Sequence, residues 1–236
     1  MEAKKIHSNS IGILKESSLH AALKQWYKEP GDKLEESIDK YVIDIVRGNL
    51  LIEIQTGNFS SIKKKLEDLT KSYEVRLVFP IIRDKLIIKM DPIRNKASTM
   101  RVSPKHGTYY DIFEELIRIP HLVPKINFTI EIILIKIEEL QKINSMGSWR
   151  RKGCNIYDRK LVKVLEKKLF FTPFDFLMLK PTSLRTPFTN MELALSLNKP
   201  LRFAQKMSYC LRKMEMVKVV GKKGKAFLFD ISCKDL

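Results

Sequence analysis

The chain has 236 residues, 44% of them hydrophobic, enough for real cores and long enough that two domains are the default expectation. Its net charge of +17 is uneven: residues 1–140 hold 23 Lys+Arg against 20 Asp+Glu, whereas 141–236 hold 21 against 7, so most of the positive field falls in the C-terminal part and favours polyanion partners. No apolar stretch is long enough to cross a bilayer, since Ile126 to Ile137 is interrupted by Glu131 and Lys136, and Met1 to Lys5 leads into no signal-peptide core; a cytoplasmic protein without a membrane partner is expected.

In chain order, Leu19, Ala22, Leu23 and Trp26 recur at helical spacing and predict a helix near 13–27. Glu16 stands three residues before Leu19 on that stripe and points toward whatever the helix covers; the plain alternative is an acid that favours a helix N-terminus. His20, one turn beyond Glu16, reads either as an ordinary hydrogen-bonded histidine or as a lining of the same cleft. Strands follow near 33–38, 41–46 and 50–55, the last two joined by Arg47-Gly48-Asn49, a short turn suited to antiparallel strands. Asp44 shares a strand face with Val42 and Val46, and Glu53 with Leu51 and Gln55. A carboxylate in such an apolar strand is costly unless paired or bound to a cation. Two of them on neighbouring strands supply the hard oxygen ligands that Mg²⁺ prefers.

A helix over 60–72 buries Ile62, Leu66 and Leu69; Lys64 and Lys65 read as solvated on its outer side, and Lys63 is left open. A strand is predicted at 75–79 and a loop-rich excursion over 91–109, where Arg101 and Lys105 either touch a phosphate backbone or belong to a solvated basic loop. Tyr110 to Arg118 reads as a helix stopped by Pro120, and the β-branched run Phe128 to Ile137 as a strand extending the first sheet.

Ser148 to Gly153 reads as a basic linker, followed by an amphipathic helix marked by Leu161, Val164, Leu165 and Leu169. Thr172-Pro173 starts a short helix, and Thr189-Asn190-Met191-Glu192 is a capping box for another running to about Leu197. The helix launched at Pro200 buries Leu201, Ala204, Met207, Leu211 and Met214, leaving Arg202, Gln205, Lys206, Tyr209, Arg212 and Lys213 largely outward. Strands at 217–220 and 226–229 flank the basic turn Gly221 to Lys225. Residues 155–236 therefore resemble a winged helix-turn-helix domain, with Arg202, Gln205, Lys206, Tyr209 and Arg212 offered to DNA and Lys222, Lys223 and Lys225 to its phosphates.

The N-terminal order, an acid on a first helix, an Asp on the second strand, Glu-x-Gln on the third and then a helix, resembles the PD-(D/E)XK nuclease superfamily over about the first ninety residues. The phrases Lys15 to His20 and Ile52 to Phe59 are in addition similar to an uncharacterised prokaryotic family. The superfamily resemblance implies an α+β fold: an αβββαβ restriction-endonuclease-like core with a mixed sheet over 1–144, a linker at 145–154 and the winged helix after it. It implies Asp44 and Glu53 as ligands of Mg²⁺ or Mn²⁺, Glu16 as a supporting acid and Gln55 in the usual lysine slot, all acting on DNA. Lysine there positions or activates the attacking water, whereas neutral Gln only hydrogen-bonds and orients. Some restriction endonucleases share Glu-x-Gln, so a metal-dependent DNA-processing endonuclease is expected, with a non-catalytic DNA-binding protein on a degenerate nuclease fold as the alternative. Cys154, Cys210 and Cys233 have no metal-site spacing, no two of His7, His20, His106 and His121 pair closely on a helix, and no segment identifies the interface of a homodimer.

Overall fold

The computed structural model describes residues 17–90, 97–143 and 154–232. Helix α1 (Ser18–Tyr27) begins where the Ser17 hydroxyl accepts the His20 N–H at 3.3 Å, so Glu16 precedes the helix and lies outside the described residues. The buried side of α1 is Leu19, Leu23, Lys24 and Tyr27, while Trp26, expected on the apolar stripe, is exposed.

Strands β1 (Lys33–Ile38), β2 (Tyr41–Arg47) and β3 (Leu50–Ile54) form an antiparallel meander. The β2–β3 turn is Gly48-Asn49 alone, and Gly48 adopts φ 56°, a left-handed conformation that a tight hairpin requires and glycine tolerates. Helix α2 (Lys63–Leu69) crosses to β4 (Glu74–Met90), which runs parallel to β3; β5 (Ala97–Val102) turns back antiparallel on β4. After a 3-10 turn, the short helix α3 (Phe113–Leu116) leads to β6 (Phe128–Ile143), parallel to β4 along nearly its whole length, and β7 (Cys154–Phe170) closes the sheet antiparallel to β6. The seven-stranded mixed sheet has the order β1-β2-β3-β4-β6-β7, with β5 attached to the far half of β4. The fold is thus mixed α+β, as expected.

Three expectations change. Residues 97–102 are a paired strand, β5, and not part of a loop. Residues 154–170 are a sheet strand, and not the linker's end and an amphipathic helix: the spacing of Leu161, Val164, Leu165 and Leu169 fits a helix, but the pairing with the apolar run of β6 overrides it, with register shifts in three places along that pairing. The expected boundary at residue 155 therefore moves to about 170, and residues 144–153 lie outside the described residues. Finally, the strand expected over 75–79 continues through Pro80 to Met90. Val78 O accepts from Gln55 N and Ile82 O from Gly107 N, and with strand period 2 the missing N–H of Pro80 faces that same edge, in the gap between β3 and the segment 103–107.

The remaining elements are α4 (Pro173–Leu177), α5 (Asn190–Leu197), α6 (Leu201–Lys213) and the hairpin of β8 (Val217–Lys223) and β9 (Ala226–Ile231). Both expected caps form: Thr172 and Asp175 box the start of α4, Thr189 and Glu192 that of α5. These elements do not float free on a linker. Phe176, Phe203, Met207, Leu211 and Phe229 share one apolar core with Ile43, Leu77, Phe113 and Ile132 of the sheet side. Helix α1 covers the opposite face, where Leu19 and Leu23 meet Ile52, Ile54, Val78 and Ile135.

Gly107 fills the edge gap of β4. A Cβ placed there stands 2.5 Å from Ile82 O and 2.6 Å from Ile81 Cγ2, one of them backbone that cannot rotate away. Gly107→Val is expected to lower stability by about 1–3 kcal/mol, read as a fall in thermal midpoint of about 2–4 °C per kcal/mol for a chain of this size; an unchanged midpoint would show that the segment is not held there.

Candidate functional site

The site forms where β2 and β3 separate. Their pairing runs Arg47↔Leu50, Val46↔Leu51 and Ile45↔Ile52 and goes no further, and the β1–β2 register steps over Glu35 and Asp44. In place of a backbone carbonyl, the Asp44 carboxylate takes the free N–H of β3: Ile54 N donates to Asp44 Oδ2 at 2.8 Å. The same oxygen is 3.1 Å from His20 Nε2. Among the described residues no hydrogen bond reaches Oδ1.

Glu53, on β3, is 5% exposed and faces the side covered by α2. Lys65 Nζ stands 2.5 Å from Glu53 Oε1 and also donates to Val42 O at 2.6 Å, so one ammonium bridges the two strands where they part. That contact is a close ion pair, which draws the Glu53 carboxyl toward its charged form. The alkyl stem of Lys65 lies along the half-buried border of α2, beside the buried Leu66 and Leu69. The expectation of a solvated Lys65 is corrected on this point. Lys64 is exposed as expected, and Lys63 only faces Glu67 on the helix surface at 3.8 Å.

The two carboxyls titrate apart. Burial drives Asp44 upward, but the hydrogen bond and charge of His20, the Ile54 N–H and the charge of Lys65 outweigh it and hold Asp44 below the usual carboxylate range. For Glu53, burial wins over Lys65, and with the nearby Asp44 charge pushes the carboxyl to about 7. One acid is thus firmly ionised while its neighbour carries a proton for part of the time near neutrality.

Gln55 departs from its expected role. Its side-chain amide donates to Gly57 O, to Asn58 O at 3.3 Å and to Ser61 Oγ at 3.3 Å, pinning the turn that leads into α2. The amide is therefore aimed into the turn and not at Asp44 or Glu53, and the positive charge of the site arrives from Lys65.

The two carboxylates can hold a divalent cation only as part of a shell completed by water or substrate: among the described residues no three His, Cys, Asp or Glu side chains cluster as a metal site, and Glu16 is not among those residues. The donor types suit a hard cation, but Glu53 Oε1 and the Val42 carbonyl are both held by Lys65 Nζ, so a cation at these oxygens has to displace that ammonium.

The expected DNA-facing residues divide. Arg202, Gln205 and Arg212 are exposed on α6, and Leu201, expected to be buried, is exposed with them. Lys206 is turned back onto the ion pair with Glu114, next to α3, and Tyr209 is half-buried against the core, so neither faces outward as expected. In the hairpin the turn is Gly224-Lys225; Lys222 lies 5.4 Å over the Phe227 ring, and Lys223 pairs with Glu192 of α5 at 3.0 Å. Lys105 lines a cavity on the far half of the sheet that neither Asp44 nor Glu53 lines.

The family described as a domain of unknown function, DUF8091, matches residues 17–170, from the cap of α1 to the last residue of β7. A relative in Treponema pallidum (strain Nichols), an uncharacterized protein, is 28% identical over 162 residues, which cover 68% of this chain and 64% of that relative. No solved structure matches the chain.

A carboxyl whose folded-state pKa of about 7 lies above its ordinary 4.5 binds its proton more tightly in the folded state, so its contribution to stability is full below about 4.5 and is lost as pH rises through about 7. Thermal midpoints taken in EDTA between pH 5 and pH 8 should therefore fall for the wild type, and fall less for Glu53→Gln. Parallel curves for the two proteins would remove the assigned shift.

Proposed function

We propose that this chain, which belongs to the DUF8091 family over residues 17–170, is a metal-dependent endonuclease that hydrolyses phosphodiester bonds of DNA at the opening between β2 and β3. The observation that carries the reading is the convergence of Asp44, Glu53 and Lys65 there, on an α1-β1-β2-β3-α2-β4 order that resembles the restriction-endonuclease core. The Glu-x-Lys lysine is absent from β3, but α2 delivers an ammonium to the same carboxylate.

In this reading Asp44 and Glu53 hold Mg²⁺ or Mn²⁺. Such an ion neutralises charge on the scissile phosphate and lowers the pKa of bound water. His20 and the Ile54 N–H fix the carboxylate of Asp44 through one oxygen, Oδ2. Lys65, poised at Glu53, supplies positive charge toward the developing phosphorane when substrate draws it from the carboxylate. Gln55 shapes the site from below by holding the turn before α2.

The C-terminal α5, α6 and β8–β9 resemble a winged helix, and they deliver DNA through Arg202, Gln205 and Arg212, with the lysines of the hairpin on phosphates. Winged helices also bind proteins, so the exposed basic face rather than the fold supports nucleic acid. A second reading, a DNA-binding protein on an inactive nuclease fold, is favoured by the engagement of Gln55 in the turn.

Single-stranded, duplex and branched DNA should be cut in Mg²⁺ or Mn²⁺, and Asp44→Ala, Glu53→Ala and Lys65→Ala should each lose roughly 10²-fold or more of the rate. Variants that cut as well as the wild type would sink the site, and a wild type that binds but cuts none of these substrates would leave the second reading. For the C-terminal elements, Arg202→Ala with Arg212→Ala is expected to weaken DNA binding and to flatten its salt dependence by about one to two charges. Lys206→Ala should instead act chiefly on thermal stability through its Glu114 pair, and equal DNA affinity of the double variant and the wild type in an anisotropy titration would remove α6 from the interface.

A further inference from the structure

We infer that the far half of the sheet carries a second phosphate pocket, formed by Lys85, Arg101, Lys105 and Arg159, that grips the backbone of a nucleic-acid strand away from the Asp44–Glu53 opening. The inference rests on the nuclease reading for the identity of the strand, and on its own geometry for the pocket.

The pocket is a cavity of about 440 Å³ between β4, β5, the segment after it and the start of β7. Four cations line it against one acid, Glu139. Glu139 is 2% exposed and holds two of the cations in place: Lys85 Nζ at 3.1 Å and Arg159 Nε at 3.2 Å from its Oε2, with Gln141 donating to the other oxygen at 2.9 Å. A carboxylate buried in this way is satisfied as a clamp for Lys85 and Arg159 and does not need the rest of the lining. Among the described residues, no carboxylate pairs with Arg101 or Lys105, which face the same space from the other wall. The sum is an excess of about three positive charges around a concavity, two of them rigidly oriented, which is the arrangement that raises local anion concentration.

A strand, rather than a free anion, is indicated by what adjoins the pocket. A second cavity of about 450 Å³ shares Ile156 and Arg159 with the first and extends to Thr56 and to the N-terminus of α1 at Ser17 and Ser18. Thr56 directly follows Gln55, so the two concavities together lead from the basic pocket to the end of the β3 hairpin. Asp158 lines that second cavity, and its carboxylate accepts the Arg159 N–H at 2.8 Å. The charge of the chain agrees with this placement. Of the positive excess in residues 141–236, the described strand residues 141–143 and 154–170 hold 6 Lys+Arg against 2 Asp+Glu, so part of it belongs with the sheet.

The test uses the full chain in EDTA, where metal chemistry plays no part. Labelled 12-nucleotide single strands and duplexes are titrated by anisotropy over a salt series against wild type, Arg101→Ala with Lys105→Ala, and Lys33→Ala as an exposed lysine on the far strand β1. The double variant should bind at least tenfold more weakly, with a slope of log affinity against log salt reduced by about one to two, while Lys33→Ala follows the wild type. Unchanged affinity of the double variant overturns the grip on a strand. Inorganic phosphate, titrated against ¹⁵N-labelled protein, separates the two sources: shifts at Arg101 and Lys105 without any loss of oligonucleotide affinity in the double variant would mark a free-anion site and overturn the strand. The outcome is separable from that of the nuclease reading. Weakened binding by the double variant with no Mg²⁺-dependent cleavage by the wild type keeps the grip on a strand and removes the nuclease; unchanged binding beside Mg²⁺-dependent cleavage does the reverse.

Discussion

The parallel pairing of β4 with β6 is the axis on which the rest of the molecule is assembled. It runs from Val75↔Phe128 to Met90↔Lys142, with β3 and β5 on the outer edge of β4, β7 on that of β6, and β2 and β1 added in turn beyond β3. Near its start the pair is covered on both faces, which is why β6 is apolar on successive positions from Ile132 to Ile135. Ile130, Ile132 and Leu134 face the core shared with the C-terminal helices, while Ile133, Ile135 and Ile137 face α1. The free edge of β4 is divided between β3 near its start and β5 near its end. Both proposed sites lie along that division, one at the tip of β3 and the other beside β5.

Electrostatically the two sites are opposites built by the same means. At the hairpin, two carboxyls dominate and a single ammonium moderates them, so that Asp44 stays ionised while Glu53 hovers near neutrality. At the far pocket, cations dominate and a single buried carboxylate orients them; burial pulls Glu139 up, but Gln141, Lys85 and Arg159 together hold it below the usual range. At the far pocket the buried, fixed member is the minority charge, Glu139; at the hairpin it is Glu53, one of the majority, with Lys65 half-buried beside it. In the proposed reading, an acidic opening for a cation and a basic pocket for phosphates complement the two partners that phosphodiester hydrolysis brings together.

Much of the first half could be read from residues alone because its signals are local. The β1–β2–β3 meander follows from alternation and from a glycine turn; in the second half the same holds for the caps of α4 and α5, which follow from short Thr-to-acid spacings. What escaped depends on partners distant in sequence. The helical spacing of Leu161, Val164 and Leu165 gives no hint that Ile135 and Ile137 stand ready to pair with them. Lys65 carried a faint signal, lying three residues after Ile62 and four before Leu69, on the border of the buried stripe, but nothing local says that Glu53 waits there. His20 is similar, beside Leu19 on the rim of α1, and its link to Asp44 spans 24 positions. The outward reading of Lys206 failed for the same reason, since Glu114 lies 92 positions away.

The interrupted edge of β4 has a consequence beyond the site. Between β3 and β5 one edge of β4 has no strand beside it, the sort of exposed ladder on which a foreign chain adds itself and starts aggregation. Here the ladder is spoiled from within. Pro80 removes the N–H that an incoming strand needs first, and the Gly107 segment lies so close over Ile81 and Ile82 that Ile82 O is already taken. The molecule can thus leave this edge of β4 without a strand partner near its candidate site and still present no template for self-association.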